Sequence, residues 1–354
     1  MDHIRIQLLW PVFQPDPSVV NPTALERLCE LMDLADHPHV SLDVSISVLD
    51  GWLSGLMFLP AWLSGRNMIT DEDVVRAELT LFDAVAECVG DHRRFLGFDL
   101  GNELSALNGD VPPESGDRWA SLLLDHCERI APGRFHVNGV DHRSWFRART
   151  FSPTAAATYG SASVLHAYPY RTGVTERYGP DGTGVLHLGE YLAEFAEAFS
   201  PTRGRAKWLQ EFGASPVEHP ADSIPQWAAS FTRNTLSSKG MWGCTWWSSH
   251  DVDRRFTGFA DCEYDVGLFT VVNDIKPAGV RLRDLIRELR HTPVRPVDRH
   301  VGLVLPDSRQ LGLQAADRFF TLVDQGVRPA LVTHDRAEDT AHLSTRGITE
   351  LVHC

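Results

Sequence analysis

The chain has 354 residues, 43% of them hydrophobic and 23% charged, and sets 33 Lys and Arg against 47 Asp and Glu for a net charge of −14. Length and composition exclude a disordered chain and a mini-protein that needs covalent staples. The acidic balance excludes a general binder of nucleic acid or of anionic membrane, since both demand a positive face.

The predicted elements alternate in type along the chain. Ile4–Leu9 reads as a short buried strand. Pro22–Ala35 places Leu25, Leu28, Leu31, Met32 and Ala35 at helical spacing and closes at His37-Pro38. Val40–Val48 alternates as a strand and runs into a Trp- and Gly-bearing loop from Asp50 to Arg66. Asp71–Val89 is an amphipathic helix with acidic residues in its first turn, where the helix dipole favours them. Strands follow at Phe95–Leu100, Arg134–Val140, Ser163–His166, Ala206–Gln210 and Gly243–Trp247. Helices are predicted over Asp117–Ile130, Leu188–Phe199, Ile224–Ser238 and Val280–Leu289. Strand and helix in alternation predict a mainly parallel α/β sheet with covering helices. Seven strands can be counted to this point, whereas a (β/α)8 barrel has eight.

Beyond Arg290 an aperiodic stretch with two prolines reads as a linker over 291–299. Strand-like runs at His300–Leu305, Pro329–Thr333 and Ile348–Val352, with a helix at Leu313–Gln325, predict a small βαβ unit over 300–354. The six cysteines, Cys29, Cys88, Cys127, Cys244, Cys262 and Cys354, show no C-x-x-C spacing. They read as mostly buried thiols in a reducing compartment rather than as a zinc site or a disulfide framework. No leader-like segment opens the chain and no run reaches the ~18 apolar residues of a membrane helix. A cytoplasmic protein with no membrane and no nucleic-acid partner is expected.

An α/β barrel keeps its chemistry at the C-terminal ends of its strands. Four such ends carry polar or aromatic residues here: Gly101-Asn102-Glu103, His166-Ala167-Tyr168-Pro169-Tyr170, Glu211-Phe212-Gly213 and Trp246-Trp247-Ser248-Ser249-His250-Asp251. A single glutamate is ordinarily a solvated loop residue. Two glutamates, each closing an apolar strand with aromatics nearby, match what glycoside hydrolysis requires: one carboxyl to protonate the leaving oxygen and one carboxylate to attack or to activate water.

Leu100-Gly101-Asn102-Glu103 resembles the Asn-Glu that ends strand four of clan-A glycoside hydrolases. Leu209-Gln210-Glu211-Phe212-Gly213 is similar to their strand-seven nucleophile segment, and His166-Ala167-Tyr168 to the His-x-Tyr of strand six. Trp246-Trp247 falls where strand eight supplies a sugar-stacking Trp, and Ile4-Arg5-Ile6 matches the strand-two Arg. The resemblance is to the family-five, cellulase- and mannanase-like set and covers residues 1–290. It implies a TIM-type (β/α)8 barrel, here lacking its first strand and helix. It also implies a retaining double displacement between carboxyls ~5–5.5 Å apart. Glu103 would be the acid/base and Glu211 the nucleophile. Asn102 would bond the sugar 2-hydroxyl, and Tyr168 and Arg5 would donate to Glu211. His166 would bond the substrate or Glu103, and Trp247 would floor the sugar site.

Trp10, Trp52, Trp62 and Trp145 could line the cleft or simply pack, and Trp10 and Trp52 are carried forward as substrate-binding candidates. Asp50 or Trp52 stands where the family often has His. The 300–354 unit resembles flavodoxin-like domains appended to some related barrels. No cofactor and no metal are expected, His250-Asp251-x-Asp253 having no second ligand cluster beside it. The partner is a carbohydrate. The alternative reading is a non-catalytic carbohydrate-binding barrel or an inactive truncated glycosidase.

Overall fold

Side chains cap the first two long helices. The computed structural model describes residues 1–107, 111–147, 149–307 and 314–354. Asn21 accepts from the Thr23 and Ala24 amides and opens α1 (Pro22–Ala35) on a proline. Asp71 accepts from the Asp73 amide to open α2 (Glu72–Val89). α3 (Pro113–Ile130) buries Trp119, Leu123 and Cys127, one helical stripe at four-residue spacing.

Two compact units divide the described chain, one of residues 1–144 and 149–164, the other of 165–354 with the short stretch from Trp145. In the first, β1 (His3–Leu9), β2 (Asp43–Asp50) and β3 (Phe95–Asp99) form a parallel sheet in that order, with Ile4 opposite Val44 and Ser45 opposite Gly97. The strand predicted from Val40 starts at Asp43 instead. Ser41 takes a left-handed φ of 50° and the Val40 amide closes a turn onto the His37 carbonyl. The loop after Asp50 holds a small hairpin of Trp52–Leu53 with Leu56–Met57.

The predicted strand Arg134–Val140 is reduced to a single bridge between Val137 and Asp99. Its backbone still runs along β3, the Phe135 and Val137 amides donating to Leu96 and Phe98 carbonyls at 2.8 Å each. The ladder is interrupted because the Phe98 amide donates to the His136 ring, Nδ1 at 3.1 Å, rather than to a carbonyl. Gly97 permits this approach, since a Cβ there would lie 2.1 Å from the Phe135 carbonyl oxygen.

The cysteines depart from expectation. α1 and α2 bring Cys29 and Cys88, 59 residues apart, into a disulfide. Of the remaining four, only Cys127 is buried; Cys244 and Cys262 are half-buried and Cys354 is exposed. Packing of two helices, not a spacing motif, makes the pair, so no local signal announces it.

A second sheet orders β4 (Ser163–His166), whose last two residues fall in the second unit, then β5 (Lys207–Phe212) and β6 (Met241–Trp246) of that unit. α4 (Thr183–Phe199), α5 (Ile224–Leu236) and α6 (Pro277–His291) are its long helices. The C-terminal residues form a parallel sheet ordered β8-β7-β9, from β7 (Val301–Val304), β8 (Ala330–Val332) and β9 (Glu350–His353). It carries α7 (Gln314–Asp324) and the unanticipated α8 (Thr340–Arg346). No described helix is long and apolar enough to cross a membrane.

α4 buries nearly every residue, including Glu190, Glu194 and Glu197. Buried charge is costly unless paired. Arg299 meets Glu190 at 2.7 Å and Glu194 at 2.9 Å, Arg328 meets Glu190 at 2.5 Å, and Lys207 meets Glu197 at 2.5 Å. Tyr191 of α4 also packs on Phe319 and Phe320 of α7, ring centroids 5.0 and 5.5 Å away. The C-terminal sheet is therefore joined to α4 by both ionic and aromatic contacts.

Candidate active site

In the first unit the polar residues gather where β1, β2 and β3 end. Arg5 and Asp99 form a buried ion pair at 2.7 Å, their side chains 4% and 0% exposed. The same guanidinium donates to Asn102 Oδ1 at 3.0 Å, while Asn102 Nδ2 donates to the Trp52 carbonyl at 2.9 Å. The Asn102 amide is thus held by both its ends. Asp50 is buried beside them and accepts from Ser47 Oγ at 3.0 Å. Burial pushes its carboxyl well above the usual range, against the opposing pull of Arg5, and the Asp99 charge adds to the rise.

Glu103 follows directly and is 7% exposed. It takes a left-handed backbone, φ 48° and ψ 46°, a conformation glycine or asparagine adopts far more readily. The Arg143 guanidinium lies 3.6 Å from its Oε2 and also pairs with Asp141. Trp10 is a core residue: it is fully buried, donates to Gln14 Oε1 at 2.8 Å and meets the Trp62 ring edge-on at 5.7 Å. Its expected sugar-contacting role is withdrawn on that ground. Trp145 is fully buried as well.

In the second unit Glu211 ends β5, 5% exposed. The Tyr168 hydroxyl donates to its Oε2 at 2.9 Å. His166 is fully buried, with Nε2 2.9 Å from Gln210 Oε1 and Nδ1 3.5 Å from Glu211 Oε2. The two aromatics ending β6 diverge. Trp246 packs on Phe212 and Trp227 and donates to the Val266 carbonyl, whereas the Trp247 indole donates to Glu263 Oε2 at 3.1 Å.

Glu263 also pairs with Arg171, whose guanidinium sits 4.3 Å over the Tyr168 ring. A single buried carboxylate thereby fixes Trp247 and, through Arg171, the ring that bonds Glu211. The residues of His250-Asp251-x-Asp253 are committed elsewhere: His250 to Asn273, Asp251 to Lys276 and Asp253 to Arg255.

Sequence reasoning missed Asp99, Arg171 and Glu263. Asp99 had a signal, being the one acid in an apolar strand. Arg171 and Glu263 lie 92 residues apart and meet only in the fold.

No protein-family model matches the chain, and no curated protein matches it significantly. Solved structures do. The GH5_18 protein of Streptomyces cattleya, in complex with GlcNAc, is 36% identical with a TM-score of 0.94, over 99% of this chain and 89% of that one. A glutamate-to-alanine variant of GH5_18 from Bifidobacterium longum subsp. longum, in complex with Manβ1-4GlcNAc, is 30% identical with a TM-score of 0.91, over 100% and 87%. The exo-β-1,4-mannosidase Op5Man5 of Opitutaceae bacterium strain TAV5 shares the fold at 21% identity and a TM-score of 0.73, over 94% and 63%. By its near full-length similarity to these proteins the chain belongs to GH5_18 and is a family-five glycoside hydrolase of clan GH-A, with an α/β fold of the TIM-barrel type.

Proposed function

We propose that the protein is a retaining β-glycosidase acting on β-mannosides of the Manβ1-4GlcNAc kind. The observation that carries the reading is the setting of Glu211: a buried carboxylate at a strand end, oriented by the Tyr168 hydroxyl at 2.9 Å. The substrate class is supported by GH5_18 relatives that hold Manβ1-4GlcNAc.

In this reading Glu211 attacks the anomeric carbon while Glu103 protonates the departing oxygen. The glycosyl-enzyme ester is then cleaved by water that Glu103 deprotonates. Asn102, pinned between Arg5 and the Trp52 carbonyl, presents its remaining donor to the 2-hydroxyl. Trp247 stacks on the sugar and Trp52 completes the contacts, while the buried Arg5, bonded to Asn102, and the buried His166, 3.5 Å from Glu211, position the groups that touch it. The chemistry requires only water beside the two carboxyls. Residues 300–354 serve as a flavodoxin-like accessory to the 1–290 barrel portion, a reading supported by their parallel β8-β7-β9 order.

Hydrolysis of Manβ1-4GlcNAc and of aryl β-mannosides tests the reading, with azide as competing nucleophile. Glu211→Ala with azide should release the α-mannosyl azide, and Glu103→Ala with an activated aryl mannoside the β-azide. A wild-type protein that cleaves no β-mannoside, or a Glu211→Ala variant that turns over normally without azide, defeats it.

A further inference from the structure

The end of α4 and the helix α8 border an open pocket of about 290 Å³, which shares no lining residue with the site described above. Its walls carry Arg203, Arg336, Arg346 and His342 against Glu197 and Asp339. The two acids are already occupied. Glu197 accepts from Lys207 at 2.5 Å and from the Gly204 amide at 2.8 Å, while Asp339 caps α8 by accepting from the His342 amide at 2.9 Å.

The cations are less well matched. Arg346 donates to the Leu331 carbonyl at 2.6 Å and reaches Glu194 only at 3.4 Å. Arg203 donates to the Thr345 carbonyl, and Arg336 to His342 Nδ1 at 3.0 Å. Among the described residues neither Arg203 nor Arg336 meets a carboxylate. The bond from Arg336 makes Nδ1 an acceptor, so the neutral ring carries its proton on Nε2. That atom is buried with no hydrogen-bond partner, and an unsatisfied buried donor is costly.

Burial first, then Arg346 and Arg336, hold the His342 pKa below its ordinary value. Burial does the same for Arg346, despite Glu194 and Glu197, with Arg299 and Arg203 adding to the effect. In a chain of net charge −14, the lining of this pocket thus carries more positive charge than negative.

We propose that this cavity binds an oxyanion, a phosphate or sulfate group held by the guanidiniums of Arg203 and Arg336. Guanidinium forks match tetrahedral oxyanions in geometry as well as charge. Such a group would relieve the cation excess. The volume leaves room for a small organic carrier beside the oxyanion, approaching the ~300 Å³ at which small-molecule pockets begin.

Thermal shift and calorimetry with sodium phosphate and sodium sulfate, at ionic strength balanced with chloride, test the site. Both oxyanions should stabilise and bind the wild-type protein, and chloride should not. Arg203→Met and Arg336→Met should each weaken phosphate binding at least about tenfold, the worth of one charge-assisted hydrogen bond. Arg336→Lys should recover part of the loss, and all three variants should hydrolyse aryl glycosides at the wild-type rate. A hexose 6-phosphate that binds more tightly than phosphate, while free hexose does not bind, identifies a carried group; equal affinities identify the free ion. Equal stabilisation by chloride, or undiminished phosphate binding by both Met variants, overturns the proposal.

Discussion

Glu190 of α4 offers a perturbation whose size follows from its surroundings. Its carboxylate is fully buried and accepts from His187, Arg299 and Arg328 at 2.6, 2.7 and 2.5 Å. Burial alone would raise its pKa. The His187 hydrogen bond and the charges of Arg299 and Arg328 outweigh that effect and hold it down from 4.5 to about 2. At ~1.4 kcal/mol for each tenfold change in an ionisation equilibrium, this amounts to about 3 kcal/mol of folding stability.

The folded pKa is the lower one, so the contribution is complete above 4.5 and disappears as pH falls through about 2. Glu190→Gln keeps the shape but strands two guanidiniums, a loss on the order of 3–5 kcal/mol for a broken buried pair. Urea unfolding of wild type and variant, followed by tryptophan fluorescence, measures the difference. The gap should hold steady between pH 7 and pH 5 and shrink by about 2 kcal/mol by about pH 3. A gap that ignores pH, or one under about 1 kcal/mol at neutral pH, as for an exposed pair, refutes the reasoning.

Three further outcomes are expected. Tyr168→Phe removes a hydrogen bond to a charged group, worth ~1.5–3 kcal/mol, and should cut kcat/KM on aryl β-mannosides roughly 10- to 100-fold with circular dichroism unchanged; a drop below about threefold contradicts the role given to Tyr168. Arg171→Met loses the cation over the Tyr168 ring, worth ~0.5–2 kcal/mol, and should lower kcat/KM on the same substrates; Arg171→Lys should recover part, and equal rates in both variants count against the cation.

Glu78 is fully buried and accepts from the Trp119 indole at 2.8 Å. Burial raises its pKa well above 4.5, outweighing that bond. Its protonated form therefore stabilises the fold at low pH and is lost as pH rises. The Tm of Glu78→Gln relative to wild type should climb between pH 5 and pH 8, and a flat difference contradicts the assignment.

The parts of the fold legible in the sequence were those set by local pattern. Pro22–Ala35 carries its cap, its proline and its apolar stripe within one segment, and its bounds match the structure. Glu103 and Glu211 stood out because each interrupts an apolar run at a strand end. Asp99 was absorbed into the strand Phe95–Leu100, since one acid in an apolar run does not alter its periodicity.

What eluded the sequence depends on residues remote along the chain. The His136 ring disrupts a ladder with β3, 38 residues away. Cys88 finds Cys29 through helix packing. Glutamates spaced as in α4 ordinarily mark a solvent face, and cations mostly remote in sequence, Arg299 and Arg328 among them more than a hundred residues on, turn that face inward.

The left-handed backbone of Glu103 separates what selection for stability and selection for activity would each choose. A side chain other than Gly or Asn in that region costs on the order of 1–2 kcal/mol. On the acid/base role proposed for Glu103, a library of variants screened for heat resistance alone should drift toward Asn or Gly at position 103 and lose hydrolysis. The same library screened on a mannoside should return glutamate. Position 103 would then record which pressure a lineage has been under, and a homologue carrying Asn there would be a candidate for one released from catalysis.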